Sequence, residues 1–382
     1  MPEPTQSPSV GDTLGVEEEY HLVDPATGEL ATRPEVLLND GYVKGELQAS
    51  QLEIGTRVCH TLTELRRDLV KARKAAGRAA AQSGAAIMAG GTHPFARWRD
   101  LERVPLPRYD VMANRFGALA DRQNICGRHV HVSVPDLSTT LAIMNRARPY
   151  LPVLAALSSS SPFHEGVDTG FASFRTMWWS VWPTAGIPPV MPSVAAYLQV
   201  VADLTAGGLI DDASTLYWDV RPSIHYPTVE FRAADVCPDI EVAVLYAGLV
   251  RSLVRTLLRD LERDVPELSD ATLTAARWRA AREGIRGGLC DPLSGAVRPA
   301  AVVIRRVVAQ LEPDLREHGE FTLVNRMVNR VINRGTSADR QRAQFARHGD
   351  LRQVVRSLVG ETMRGVCAPV EGPVHVTGSP SS

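Results

Sequence analysis

Glu17 and Glu19 stand two residues apart in the segment Leu14-Gly15-Val16-Glu17-Glu18-Glu19-Tyr20-His21-Leu22-Val23. The segment reads as a β-strand, where successive side chains point to opposite faces. Leu14, Val16, Glu18, Tyr20 and Leu22 then share one face; Glu17, Glu19 and His21 share the other. Two neighbouring carboxylates repel each other unless something positive sits between them. Oxygen ligands of this kind suit a hard divalent cation such as Mg²⁺ or Mn²⁺. A solvated outer strand would show the same alternation. What decides between the two is whether other strands bring similar groups.

Three further stretches do. Residues 126–134 set His129, His131 and Ser133 against Val130, Val132 and Val134. Residues 216–221 carry Asp219 and Arg221 on one face, and residues 228–232 carry Glu230 and Arg232 opposite Val229 and Phe231. Four such strands in one sheet make a face of carboxylates, imidazoles and guanidiniums. That face cannot be dry unless its charges are paired or hold metal. The expectation is an open polar cleft, with Mg²⁺ held by carboxylates and a histidine, and with arginine for anionic groups. Such equipment binds a nucleoside triphosphate and transfers its phosphoryl group. The chain has no G-x-x-x-x-G-K-[ST] and no G-x-G-x-x-G opening a helix. Phosphate would therefore be bound by metal and arginine rather than by a glycine-rich loop.

The elements that must position these groups alternate along the chain. Residues 24–28 form a turn, and Glu29-Leu30 begins a returning strand. Residues 45–54, with Glu46 and Glu53, read as one extended stretch. Residues 61–83 read as a helix capped by Thr61 or Thr63, and residues 85–90 as an apolar strand ending in the turn Gly91-Thr92-His93-Pro94. Helices are expected over 109–121, 141–160 and 194–206, the last ended by Gly207-Gly208. Between the second and third lies a long irregular piece, 161–192, and loops of that size are usually functional. Residues 240–265 and most of the remainder to 359 read as helical. Strands before about residue 235 with helices between and after them argue for an α+β fold with a largely antiparallel sheet. Residues 12–364 read as a single domain, flanked by polar tails at 1–11 and 365–382.

Composition excludes several classes. The 382 residues are 44% hydrophobic and 22% charged, which is globular. The net charge of −1 gives no whole-chain attraction to nucleic acid or to an anionic membrane. Cys59, Cys126, Cys237, Cys290 and Cys367 are scattered, without a C-x-x-C pair. That argues for reduced thiols rather than a zinc site or a disulfide framework. The start of the chain lacks the apolar core of a signal peptide, and no apolar run is long enough for a bilayer. The expected location is the cytoplasm.

The ordered set of motifs resembles the glutamate–cysteine ligase type 2 family. It comprises Gly15-Val16-Glu17-Glu18-Glu19, the pair Glu46 and Glu53, Gly127-Arg128-His129-Val130-His131, Ser173-Phe174-Arg175 and Val229-Glu230-Phe231-Arg232. Ser160-Ser161-Pro162-Phe163, Asp168-Thr169-Gly170, Asp291-Pro292 and Arg340-Gln341-Arg342, followed by Gly349-Asp350-Leu351, are similar to it as well. The resemblance runs from residue 12 to residue 364. It implies a glutamine synthetase-like fold: a curved antiparallel sheet with ATP and metal on its concave face and helices outside. It implies metal ligation by Glu17, Glu19, Glu46, Glu53, His129 and Glu230. Arg232 would contact phosphate in the transition state, and Arg175 the substrate carboxylate. The implied reaction is ATP-dependent activation of a carboxylate, often a γ-glutamyl one, followed by attack of an amine. A homodimer is expected from the resemblance alone. The rivals are a phosphoryl- or guanidino-transferase on the same fold, and a non-catalytic ATP- or metal-binding homologue.

Other residues carry weaker expectations. His131 shares the His129 face and suits either ligation or substrate contact. Trp179, in the long irregular piece, suits the wall of a substrate pocket. His164 stands where the family commonly has a larger aromatic ring, which would reshape that pocket. Asn325-Arg326, Asn329-Arg330 and Asn333-Arg334 recur every four residues, mostly as a solvated helix face. Arg334, Arg340 and Arg342, near Gly335-Thr336-Ser337, are the candidates for nucleotide or phosphate contact. Glu18 falls on the apolar face and is expected not to be a ligand.

Overall fold

A computed structural model describes residues 10–33, 42–260 and 267–366. Residues 1–9 of the expected tail 1–11, residues 367–382 of the expected tail 365–382, the thiol of Cys367 and the end of the helix expected over 240–265 lie outside the described residues. The first half holds β1 (Leu14–Val23), β2 (Val43–Gly45), β3 (Gln51–Gly55), α1 (Leu62–Gln82), β4 (Ala86–Met88), α2 (Pro107–Phe116), α3 (Ala118–Asp121), β5 (Gly127–Ser133), α4 (Leu137–Ala147) and α5 (Leu151–Leu157). Then come a small hairpin of β6 (Phe163–His164) and β7 (Val167–Asp168), α6 (Phe174–Trp179), α7 (Val194–Ala206), β8 (Val220–Pro222) and β9 (Thr228–Asp235). The remainder is α8 (Ile240–Arg259), α9 (Asp270–Glu283), the hairpin β10 (Gly288–Cys290) and β11 (Val297–Pro299), and α10 (Ala300–Glu317), α11 (Phe321–Arg334), α12 (Ser337–His348) and α13 (Leu351–Thr362).

The α+β expectation holds. Seven strands form one sheet in the order β2-β3-β1-β5-β9-β8, with β4 also on β1, and every pairing is antiparallel. Leu14 and Val16 of β1, Val130 and Val132 of β5, and Val229 and Phe231 of β9 enter one apolar cluster with Leu62, Leu65 and Leu69 of α1 and the inner face of α8. Helices α1 and α8 thus close one face of the sheet. The other face carries Glu17, Glu19, His129, His131 and Glu230. Among the described residues, no helix is long and apolar enough to cross a membrane.

Several boundaries move for local reasons. Residues 45–54 are not one strand: Leu47 and Ala49 turn into a small cluster with Val104 and Tyr109, and β3 folds back on β2. The helix expected over 109–121 breaks at Gly117, which has φ 53°. That over 141–160 begins earlier, capped by Asp136, and breaks around Pro149, whose ring cannot continue the backbone ladder. The strand at 216–221 is shorter, and begins at Val220. The returning strand at Glu29-Leu30 is a single bridge from Leu30 to Val23. The irregular piece 161–192 contains α6, and the helical C-terminal third is interrupted by the β10–β11 hairpin.

Glu18 is fully buried on the closed face. Arg73 of α1 donates to both of its oxygens, each at 2.9 Å. Arg128 of β5 donates at 2.8 and 3.0 Å, and Tyr20 at 2.5 Å. Burial opposes its charge, but the two guanidiniums prevail and hold the carboxyl down at about 2. The expectation that Glu18 is a bystander at the cleft agrees with this placement. Removing one partner of a buried ion cluster costs about 3–5 kcal/mol, so Glu18→Gln should lower urea-unfolding stability by that order. The depressed carboxyl stabilises the fold fully above the ordinary glutamate range and loses that contribution as pH falls towards 2. An acid-unfolding midpoint that Glu18→Gln leaves unchanged would contradict this.

Candidate active site

Register assembles the polar face. Glu17 lies opposite His129, and Gly15 opposite His131, across the β1–β5 pair. Glu19 faces Glu53 on β3, and Glu53 faces Lys44 on β2. His131 faces Glu230 on β9, which faces Arg221 on β8. Apart from Gly15, these residues line one cavity of about 350 Å³ with Glu46, Arg175, Trp179 and Arg232.

The acidic groups divide into two clusters. Glu17, His131 and Glu230 bring ligand atoms within 4.8 Å of one another, and so do Glu19, Glu46 and Glu53. His129 stands between the clusters, with Nδ1 3.1 Å from Glu17 and Nε2 3.8 Å from Glu19. Burial and the nearby Arg232 push its imidazole down towards the neutral form. Burial opposes ionisation of Glu17, yet a hydrogen bond with His129 and the nearby His131 imidazole, 3.6 Å away, hold its carboxyl well below the usual range. His131 is oriented by Thr228, 3.0 Å from Nδ1, and its buried Nε2 has no hydrogen-bond partner among the described residues. Glu53 goes the other way: burial, then Glu46, Glu17 and Glu19, push its carboxyl well above the usual range. Its near countercharge, Lys44, is 3.7 Å away and largely exposed. An orphaned imidazole nitrogen among carboxylates, and a carboxyl that burial and its neighbours push towards the protonated form, fit a divalent cation that would bind one and ionise the other.

Guanidiniums frame the opposite side. Glu230 is held by Arg221 at 2.8 Å and by Arg232. Burial resists its charge, but these two arginines keep it ionised. Arg221 is fixed in turn by the carbonyl oxygens of Ser214 and Leu216, at 2.6 and 2.9 Å. Arg175 comes from α6, whose first turn is capped by Ser173. Its guanidinium rests on Gly127: a Cβ there would lie 2.2 Å from Nη2. It is buried, and its Nε has no hydrogen-bond partner among the described residues.

The glutamate–cysteine ligase family 2 profile matches residues 13–357. The chain belongs to glutamate–cysteine ligase family 2. A Saccharopolyspora erythraea protein with the provisional name glutamate–cysteine ligase 2-1 is 40% identical over 363 residues, 94% of this chain and 97% of that one. A Salinispora arenicola protein provisionally named glutamate–cysteine ligase 2 is 41% identical over 360 residues, 92% and 95% of the two chains. The fold is similar to the solved glutamate–cysteine ligase of Francisella tularensis in complex with AMP. The TM-score is 0.71 at 14% identity, over 94% of this chain and 89% of that one. It is also similar to a bifunctional glutathione synthetase from Pasteurella multocida. The TM-score there is 0.69 at 16% identity, over 93% of this chain but only 52% of that one. As a member of glutamate–cysteine ligase family 2, the chain is an ATP-dependent carboxylate–amine ligase.

Of the residues singled out from the sequence, the family 2 cavity gathers Glu17, Glu19, Glu46, Glu53, His129, His131, Arg175, Trp179, Glu230 and Arg232. Four stand elsewhere. His164 stacks behind α6, on Phe174 and Trp178, with ring centres 5.0 and 5.8 Å apart; it supports that helix and does not line the cavity. Arg340 pairs with Glu361 at 3.1 Å, and Arg342 with Asp168 at 2.6 Å. Arg334 borders a separate cavity among α8, α11 and α13. None of these three arginines lines the polar cavity, and two of them hold ion pairs. Asp219 is likewise drawn away, into a buried pair with Arg277 at 2.6 Å. Sequence reasoning passed over Lys44, Gln51, Gln123 and Tyr217, which also line the cavity. Lys44 stands one residue before the acidic segment read as extended, and would have been found by pairing 43–45 with 52–54.

A carboxyl that holds its proton more tightly when folded favours the fold less as pH rises past its unfolded value. Metal-free wild type should therefore lose stability relative to Glu53→Gln as pH rises above the ordinary glutamate range. Saturating Mn²⁺ should cancel that loss, because cation and proton compete for the same oxygens. Thermal unfolding of both proteins across this range checks it; parallel curves with and without Mn²⁺ would refute it.

Proposed function

We propose that this cavity activates the γ-carboxyl of glutamate as an acyl phosphate and couples it to an amine, releasing ADP and phosphate. The observation that carries the reading is the pairing of two carboxylate clusters with an uncommitted buried guanidinium, Arg175, inside one cavity. A carboxylate is a poor electrophile because its leaving group would be oxide; phosphorylation supplies a better one. A carboxylate oxygen attacks the γ-phosphorus of ATP, and ADP departs. The amine nitrogen then attacks the acyl carbon, phosphate leaves, and the nitrogen gives up a proton.

Each residue's part follows from its place. Mg²⁺ (or Mn²⁺), held by Glu17, His131 and Glu230 and by Glu19, Glu46 and Glu53 with His129 between, would neutralise phosphate oxygens. Arg232 offers a guanidinium to the transferring phosphoryl group, and Glu230 keeps that fork aimed. Arg175 receives a substrate carboxylate. Half-buried Trp179, its indole N–H held by the carbonyl oxygen of Tyr217 at 3.1 Å, presents an apolar wall that keeps water from the acyl phosphate. A homodimer, expected from the family resemblance, and the cytoplasmic location expected from the sequence pattern complete the reading.

Purified protein with Mg²⁺, ATP and glutamate should release ADP only when an amine acceptor is also present. Screening a panel of amines by product mass names the acceptor. Phosphorylated product without an amide would favour a phosphoryl- or guanidino-transferase; no ADP with any pair would favour a binding homologue. Glu230→Gln should lower kcat by about 10²–10³-fold while far-UV circular dichroism stays that of the wild type. Wild-type turnover in that variant would remove Glu230 from the site.

A further inference from the structure

One buried carboxylate beside the cavity is not used by the proposed chemistry. Asp235 ends β9 and is 1% exposed. Strict alternation from Glu230 and Arg232 would put Ala234, not Asp235, on the polar face. A bulge changes the phase. Between the pairs Arg128–Ala234 and Val130–Phe231, two steps along β5 answer three along β9. Asp235 therefore faces the cavity side, directly opposite Gly127.

Asp235 is tied on both oxygens. It accepts from the Ser160 backbone N–H at 2.8 Å and the Ser161 hydroxyl at 2.7 Å. The Ser173 hydroxyl donates to its other oxygen at 2.8 Å. Ser173 caps α6, and the Ser161 hydroxyl accepts from the Arg175 backbone N–H at 3.1 Å. The carboxylate thus pins the start of α6; burial pushes it above the usual carboxylate range, and the charge of the nearby Arg175 guanidinium offsets part of that. Gly127 supplies the seat, since any β-carbon would occupy the position of Nη2. The guanidinium is held by shape and field, which leaves its N–H groups for a ligand.

We propose that Asp235 is the positioning residue for Arg175, and that the β9 bulge and Gly127 exist to place that guanidinium for a substrate carboxylate. This rests on the ligase reading for the identity of the ligand, not for the placement itself. Asp235→Asn should raise KM for the acid substrate at least about tenfold, with kcat and KM for ATP nearly unchanged. Gly127→Ala should do the same from the other side, because only the flexible end of Arg175 must give way. Asp235→Glu should not rescue, since its longer arm cannot keep the three donors. Crystal structures of Asp235→Asn and Gly127→Ala read the placement without any turnover: the Arg175 guanidinium leaves Gly127 in both. A guanidinium that stays in place, or an equal rise of KM for ATP and acid, overturns the inference. Wild type that turns over no acid defeats the ligase reading alone and leaves the crystallographic comparison valid.

Discussion

The phase of β1 is the constraint on which the site depends. Glu17, Glu18 and Glu19 are consecutive, so the pleat must send the middle one to the other face. A slip of one residue would bury two carboxylates and expose one. Glu18 prevents that slip. It lies among Arg73, Arg128 and Tyr20, in a region closed by α1 and α8. Neither guanidinium could stay buried without it. The ion cluster joins α1, β1 and β5, and so fixes the two strands that carry Glu17, Glu19, His129 and His131.

With the phase set, the polar face concentrates like charge. Glu19, Glu46 and Glu53 share one end of the cavity with little to offset them, and burial with these neighbours pushes the Glu53 carboxyl well above the usual range. At the other end Glu230 is neutralised by two arginines. The gradient from acidic cluster to guanidinium suits the proposed phosphoryl transfer, in which Arg232 faces the transferring group. Rigid strands hold it: their hydrogen-bonded ladders do not let repelling side chains move apart.

Arg175 reaches this face differently. It comes from a short helix inside an otherwise irregular segment, and the buried carboxylate of Asp235 ties the start of that helix. Irregular chain can bring a side chain in from above the sheet, which the strands themselves cannot do. It needs a polar anchor because it has no ladder of its own. His164, stacked behind α6 on Phe174 and Trp178, adds an aromatic brace to the same helix.

Much of this was legible in the sequence. Alternation separated Glu18 from Glu17 and Glu19, set His129 and His131 on one face, and paired Glu230 with Arg232, because the period of a strand is a local property. The ordered motifs carried the family and the fold. Tertiary structure alone decided which carboxylates stand together: Glu46 and Glu53 meet Glu19 through a hairpin turn formed by Leu47 and Ala49 packing elsewhere. It also decided that Arg340 and Arg342 are committed to Glu361 and Asp168. Nothing in the spacing of an arginine on a helix records which acid lies across the gap. The bulge that turns Asp235 inwards is invisible for the same reason, since a change of phase in one strand exists only relative to its neighbour.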